Sequence, residues 1–471
     1  MQNKNLESEQ HWTPELARFS GPRYKALADA IEEAVGNGQL PPETRLPTHR
    51  SLAEQLNVTV GTVTRGYAEA ERRRLVVARV GSGTFVRGKR WDRPDFSIPA
   101  ETDTTLLDLS LSLSVPACRE KMLADTLSRL SDNSAKLSPL LKYHPEQGLL
   151  RHREMVAHWL ERFGIYADPA CILMTNGGQH ANSLVLRAMT RPGDTVLSDY
   201  LTYPRFIYSV RQQQLRHVGV PMDEQGMRPD ALVECCRQHQ PRLLYLMPAL
   251  HNPTSVIMPE ARRREILAIA AEFNVLVLED DVKFSMPENR TTAMVSMAPE
   301  QVIYSGSFSK SLGGGLHMGF AVCPPDLVER IGQVLRSDCW SATPLMAEVV
   351  MSWLDSGKAW ELMTWQRDEI AARQAMVADT LNCHDLQSQP FSFHCWLKLP
   401  EPWRANTFVT QLEQQGVRVL GAEMFAAGSS PAPQGIRFCI SSLAERRQLQ
   451  EALEIIRDTL ALEPIQKPIV F

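Results

Sequence analysis

From Asp108 onward the chain alternates short apolar runs with amphipathic stretches, and this alternation restricts the fold more than any other feature. Cys171-Ile172-Leu173-Met174, Asp194-Thr195-Val196-Leu197, Leu243-Leu244-Tyr245-Leu246-Met247, Val275-Leu276-Val277-Leu278 and Val302-Ile303-Tyr304 are of strand length. Apolar on both faces, such strands must be covered on both faces, which predicts a mostly parallel sheet. Stretches between them, such as 260–273, carry the helical character that would cover it. The expected class is an α/β domain from residue 108 to residue 471.

The first 90 residues follow another pattern. Tyr24, Leu27, Ile31 and Val35 recur at helical spacing over 23–36, and Gly36, Gly38 and Pro41-Pro42 end that helix. Thr48-His49-Arg50-Ser51 opens a second helix burying Leu52 and Leu56. Past Asn57-Val58, Thr59 caps a third, with Val63, Tyr67 and Ala70 turned inward. Leu75–Arg79 and Thr84–Val86 read as strands joined by Gly81-Ser82-Gly83. Three helices and a hairpin predict an α+β winged helix-turn-helix over residues 14–88. Residues 89–107 mix charges, prolines and threonines without periodicity and predict a linker.

Charge divides along the same line. The formal net charge is -4, yet residues 1–90 hold 14 Lys/Arg against 10 Asp/Glu and the remainder 36 against 44. A basic excess at the N-terminal end points to a nucleic-acid partner there. No run of about 18 apolar residues is present, so no membrane span is expected. The polar start MQNKNLESEQ lacks a signal-peptide core. Nine cysteines with no CxxC pair fit thiols in a reducing cytoplasm, with no metal site.

The chemistry centres on Lys310, in Tyr304-Ser305-Gly306-Ser307-Phe308-Ser309-Lys310 before Gly313-Gly314-Gly315. Hydroxyls just ahead of a lysine suit an amine that forms a Schiff base while nearby donors cradle a phosphate. Other strands also end in useful turns, where open α/β sheets bind ligands. Thr175-Asn176-Gly177-Gly178-Gln179-His180 opens a helix whose amides suit a phosphate, or is a plain strand-to-helix turn. Tyr203-Pro204 offers an aromatic face, and Asn252-Pro253 a fixed amide donor; each also suits ordinary packing or an ordinary turn. Asp280 would keep a pyridine nitrogen protonated, or cap the following segment. Arg437, within a late strand, would bind a carboxylate bidentately.

Residues 21–88 resemble the DNA-binding domain of the GntR family, most specifically in Leu46-Pro47-Thr48-His49-Arg50-Ser51-Leu52-Ala53 and Gly81-Ser82-Gly83-Thr84-Phe85-Val86. The resemblance implies DNA contacts from Arg50, Thr59, Thr62, Arg65 and the wing residues Gly81, Ser82 and Gly83. Val60 stands where many relatives have arginine, removing a direct guanine contact.

From residue 108 to 471, the order of phosphate turn, aromatic, Asn-Pro, Asp, Ser-x-Ser-Lys and late Arg resembles fold-type I aminotransferases. The fusion of both halves resembles the MocR subfamily of regulators. That resemblance implies pyridoxal 5'-phosphate (PLP) bound by Lys310, Asp280, Asn252, Tyr203, Gly178, Gln179, Ser307, Ser309 and His317. It further implies a large part at about 140–340 and a small part at about 341–471. Tyr143, in Tyr143-His144-Pro145-Glu146-Gln147-Gly148, would reach the phosphate of a neighbouring subunit, which implies a homodimer. Two positions depart from relatives: Val282 and Lys283 stand where a tyrosine is usual, and His317 where an arginine is usual. The expected function is PLP-dependent transcription regulation on double-stranded DNA. The effector would be PLP, an amino acid or an amine, joined as an aldimine at Lys310 and held at Arg437. The alternatives are an active aminotransferase with an appended DNA-binding domain, or a regulator that has lost PLP. Sustained turnover is not expected, although a half reaction is compatible with the site.

Overall fold

The computed structural model describes residues 12–19, 21–41, 44–73, 75–79, 83–86, 106–117, 119–282, 286–382, 384–428 and 432–462. The chain forms two compact units, divided in sequence between residues 97 and 98.

In the N-terminal unit, helices α1 (Arg23–Gly36), α2 (His49–Leu56) and α3 (Val60–Arg72) precede an antiparallel hairpin, β1 (Val76–Arg79) and β2 (Gly83–Val86). The starts of α2 and α3 follow from a side chain. Thr48 accepts from the Ser51 amide and Thr59 from the Thr62 amide, satisfying donors that the first helical turn leaves free. Asn57, at φ 50°, takes the left-handed turn between α2 and α3. Leu27, Ile31, Leu52, Val63, Tyr67 and Ala70 meet in the core. A Cβ on Gly66 would stand 2.6 Å from Leu27 Cδ2, so the approach of α3 to α1 requires that glycine. Arg73 then joins the two helices, reaching Glu69 at 3.0 Å and Glu32 at 3.0 Å.

The second unit begins with β3 (Leu107–Asp108). Its large sheet contains β4 (Ile172–Thr175), β5 (Thr195–Asp199), β6 (Arg216–Val220), β7 (Leu243–Leu246), β8 (Leu276–Asp281), β9 (Val302–Ser307) and β10 (Gly319–Val322). The spatial order is β4-β10-β9-β8-β7-β5-β6. Only β10 runs antiparallel to its neighbours. Both faces are covered, by one cluster including Val156, Ile266 and Trp353 and by another including Leu184, Phe206 and Leu335. The helices used below are α4 (Gly178–Met189), α5 (Pro204–Gln212), α6 (Glu260–Glu272) and α7 (Lys358–Thr380).

A smaller sheet lies around β11 (His394–Lys398) and β12 (Gly435–Cys439), which pair antiparallel. Its core takes in Leu109 and Val115 together with Ile370, Phe408 and Ile456. The small part is therefore discontinuous: residues near 109–115 join it from the start of the domain, outside the expected 341–471. The expected linker also overruns, because Leu107 already pairs with Val417 and Asp108 with Arg418. Short apolar runs carry no signal of which distant strand they will meet.

Candidate functional site

The site assembles where strands of the large sheet end. Asp280 is the penultimate residue of β8, beside Ser305 of β9 in the register. Its Oδ2 accepts from Asn182 Nδ2 at 2.6 Å and from the Tyr245 hydroxyl at 2.6 Å. Its Oδ1 accepts the Val282 amide at 3.3 Å. Burial pushes this carboxyl up to about 6, against the opposing pull of the Tyr245 and Asn182 hydrogen bonds. Asn182 and Tyr245 were not signalled by the sequence, since one lies inside α4 and the other in mid-strand.

Lys310 follows β9. It retains part of its surface, but its amine end is enclosed and donates to the Ser112 carbonyl. Desolvation pushes the ammonium down to about 8; Cys439 opposes this, while Arg437 and Arg205 add to it. Arg205, in the first turn of α5, is a second guanidinium of the site that the motifs did not mark. Arg437, on β12, is 3% exposed. Its Nη1 donates to Asn252 Oδ1 at 3.2 Å and its Nη2 to the Ser110 carbonyl, and its guanidinium lies 5.0 Å from the Phe425 ring centre. Accepting from Arg437, the Asn252 amide turns its NH2 end away to donate elsewhere. Arg263 of α6 supports the same loop: fully buried, it donates to the carbonyls of Pro248 and Met258 on either side of Asn252.

Tyr203 precedes α5 and is half-buried, and its phenol is pushed up to about 12 by desolvation. The charges of Asp280, Arg437 and Arg205 all bear on that phenol, so the Tyr203 ring belongs to the same cluster. Gly178 begins α4, and a Cβ there would stand 2.5 Å from Val282 Cγ1 and 3.3 Å from Ser307 Cβ. Ser307 accepts the Ser309 amide at 3.2 Å and contacts the Met318 carbonyl at 3.4 Å.

Three expected phosphate or interface groups sit differently from a simple ring around Lys310. The Gln179 side chain donates to Ser209 Oγ at 3.0 Å, which leaves its backbone amide as its contribution to the α4 terminus. His317 is exposed, in the left-handed region at φ 46°. Tyr143 is 83% exposed and packs its ring on Trp340 at 4.8 Å, outside the cluster formed within one chain.

These residues fit pyridoxal phosphate. The enclosed amine stands with a buried carboxylate that has one oxygen lightly used, a fixed amide, and a helix N-terminus that a Cβ would obstruct. The buried Arg437 Nε has no hydrogen-bond partner, which leaves a donor in the cluster for an anion.

The reading face of the N-terminal unit is built separately. The Arg50 side chain is 87% exposed and touches Glu54 at 3.5 Å. Thr59 and Thr62 bond each other at 2.9 Å across the first turn of α3. Arg65 donates to the Gly61 carbonyl at 3.3 Å and lies 5.6 Å from the Tyr24 ring centre. Val60 is 49% exposed on that turn, so a methyl-bearing surface replaces a cation there. Gly83 has φ 109°, and a Cβ on it would meet Arg45 Nε at 3.0 Å. Gly81, Ser82 and Lys283 lie outside the described residues. Among the described residues, no helix is long and apolar enough to cross a membrane.

Residues 110–456 match aminotransferase class I and II, and residues 23–86 match the bacterial regulatory proteins of the gntR family. Relatives include the uncharacterized HTH-type transcriptional regulator YdeF of Bacillus subtilis, 28% identical over 95% of this chain and 96% of its own. The HTH-type pyridoxine biosynthesis transcriptional regulator PdxR of Corynebacterium glutamicum is 28% identical over 93% and 95%. A 2-aminoadipate transaminase of Thermus thermophilus is 30% identical over 61% of this chain and 74% of its own. Among solved structures, the α-aminoadipate aminotransferase of Thermus thermophilus complexed with N-(5'-phosphopyridoxyl)-L-leucine superposes with a TM-score of 0.67. It is 25% identical and covers 76% of this chain and 92% of its own. The chain belongs to the aminotransferase class I and II family, joined to a gntR-family winged helix-turn-helix in the manner of the MocR subfamily of transcription regulators.

Proposed function

We propose that this protein regulates transcription by binding operator DNA through α3 and the wing, and by binding pyridoxal phosphate and an amino acid or amine at Lys310 and Arg437. The observation that carries the reading is the convergence of Lys310, Asp280, Asn252 and Arg437 in a chain that begins with a winged DNA-binding domain. Bound there, pyridoxal phosphate supplies an electrophilic aldehyde carbon and an electron-accepting ring.

The chain's own groups divide the work. Lys310, held down near 8, keeps a share of its amine unprotonated and nucleophilic at neutral pH. Asp280 would hold a proton at the ring nitrogen, and Asn252 would donate to the phenolic oxygen. Tyr203 would stack on the ring, while the amides of Gly178 and Gln179, with Ser307 and Ser309, would receive the phosphate. His317 is retained in this set, with its exposure making it the outermost member. Arg437 takes a carboxylate. The relative named for pyridoxine biosynthesis favours the cofactor itself as one signal. The exposed Tyr143–Trp340 pair supports a homodimer in which Tyr143 serves the neighbouring site. Arg50, Thr59, Thr62 and Arg65, with the wing Gly81–Gly83, meet double-stranded DNA. Such a protein works in the cytoplasm.

Titration of the full-length protein with pyridoxal phosphate, followed by visible absorption, tests the ligand half. A new band that Lys310→Ala abolishes is expected, and an identical band in the variant would refute Lys310 as the anchor. Anisotropy with duplexes from the region upstream of its own gene tests the other half. Equal affinity for all duplexes at moderate salt would refute operator recognition.

A further inference from the structure

Residues 109–115 cross the site as a strap. The strap is fixed at both ends: the Leu109 amide donates to the Arg418 carbonyl at 2.9 Å, and the Val115 amide donates to Gln366 Oε1 at 3.0 Å. Between these anchors, the Ser110 carbonyl accepts from Arg437 Nη2 and the Ser112 carbonyl from the Lys310 amine. Two carbonyls of one short segment thus occupy both groups that a ligand would need. Gln366, on α7 and 4% exposed, is the clamp. Its Nε2 donates to the Lys310 carbonyl at 3.0 Å while its Oε1 holds Val115, tying the strap to the lysine's own backbone. The buried Ser112 Oγ has no hydrogen-bond partner, so the strap has not satisfied its own polar groups where it lies.

We propose that this strap is a built-in competitor, displaced fully only by a ligand that brings a carboxylate to Arg437 as well as a group to Lys310, with Gln366 as the positioning residue that sets its strength. The inference rests on Lys310 and Arg437 being the ligand groups. Attachment at Lys310 alone frees the Ser112 end and leaves Ser110 on Arg437. A carboxylate competes with the second hold, because a bidentate grip would pair the unpartnered Nε of Arg437 with Nη2, which Ser110 occupies. The strap follows β3 (Leu107–Asp108), which residues 89–106 join in sequence to the N-terminal unit, so its release is an event that this connection can pass on. Amines without a carboxylate would then be weak signals even when they bind.

Two stable probes separate the cases in the full-length protein. N-(5'-phosphopyridoxyl)-L-leucine carries ring, phosphate and carboxylate; N-(5'-phosphopyridoxyl)-isoamylamine lacks only the carboxylate. Hydrogen exchange of the peptide spanning 106–117 is expected to accelerate about tenfold with the first, the loss of one net hydrogen bond, and much less with the second. Gln366→Leu should accelerate the ligand-free peptide similarly. It should also tighten binding of the leucine conjugate several-fold, because the competitor is already loosened. A merely structural role for Gln366 would instead weaken that binding. Equal exchange with both bound probes, or weaker binding in Gln366→Leu, overturns the strap while leaving the site assignment standing. Failure of both probes to bind the wild-type protein overturns the site assignment and the strap with it.

Discussion

Replacing Asp280 with asparagine should stabilise the ligand-free protein and weaken its hold on pyridoxal phosphate, two effects of opposite sign from one atom. The carboxyl is 2% exposed and is pushed from 3.8 to about 6, burial being the largest cause. At pH 8, keeping it ionised costs about 3 kcal/mol, from roughly two units at 1.36 kcal/mol each. The asparagine keeps an acceptor for Asn182 and Tyr245 but turns an NH2 towards the Val282 amide, losing a contact of 3.3 Å. That loss returns about 1 kcal/mol. A net gain of about 2 kcal/mol remains at pH 8, or a few degrees in melting temperature for a unit of this size. The stability of the wild type is fully present below the ordinary carboxylate range and is lost as pH rises through about 6, so the variant's advantage shrinks as pH falls and, with the Val282 contact still lost, turns into a deficit of up to about 1 kcal/mol near pH 4. With the cofactor the order reverses. Removing one partner of a buried charge pair costs about 2–5 kcal/mol, at least about 30-fold in affinity. Melting curves at pH 4, 6 and 8, with and without pyridoxal phosphate, read both effects. A pH-independent difference between the proteins, or unchanged cofactor affinity, would refute the account of Asp280.

Further outcomes follow from single contacts. Gly178→Ala places a methyl 2.5 Å from Val282 Cγ1 and should weaken phosphate-dependent binding about tenfold or more; Gly178→Ala with Val282→Ala should recover most of it, and no recovery on titration would refute the steric cause. Arg50→Ala removes a side chain that is 87% exposed, so melting should move by less than about 0.5 kcal/mol while DNA affinity falls. The slope of log affinity against log salt should drop by about one phosphate contact, and an unchanged slope would remove Arg50 from the interface. Arg437→Met should bring the leucine conjugate down to the affinity of the isoamylamine conjugate, with pyridoxal phosphate alone nearly unaffected; equal losses for all three would point to misfolding instead.

What the sequence made legible was local. Lys310, Asp280 and Asn252 were visible because each follows an apolar run, and parallel strands bring such ends to one edge. Thr48 and Thr59 announced their helices by cap chemistry. What it hid was distant. Asn182 and Tyr245 hold the carboxylate of Asp280 from positions 98 and 35 residues away, with nothing in their own neighbourhoods to mark them. Ser110 meets Arg437 across 327 residues. Gln179 carried a valid local signal, yet its side chain went to Ser209 because α5 packs against α4 and offers a hydroxyl there. β10 was hidden for another reason: Gly319 must lie flat between Thr175 and Ser307, where a Cβ would stand 2.6 Å from the Gly177 carbonyl carbon.

The two departures from aminotransferase relatives acquire a physical meaning in this setting. Val282 turns an apolar side chain against Gly178, at the helix terminus that would hold a phosphate, and brings no hydroxyl to the site. Tyr245, from mid-strand, supplies a hydroxyl to Asp280 instead, and spends it there. His317 places an exposed imidazole where the planar five-donor fork of a guanidinium would sit. Under the proposed function, each change removes a group that would tune the charge of a reacting cofactor, while Lys310, Asp280, Asn252 and Arg437, which would capture and orient it, are all present. On that reading, binding energy would be kept where rate-enhancing groups are thinned, and it would be free to do mechanical work on whatever segment competes for the same atoms. The segment that competes is residues 109–115, lying across Arg437 and Lys310. The proposed site, which would have to move its own strap to bind a carboxylate-bearing ligand, would have the properties that reporting a ligand to a DNA-binding domain requires.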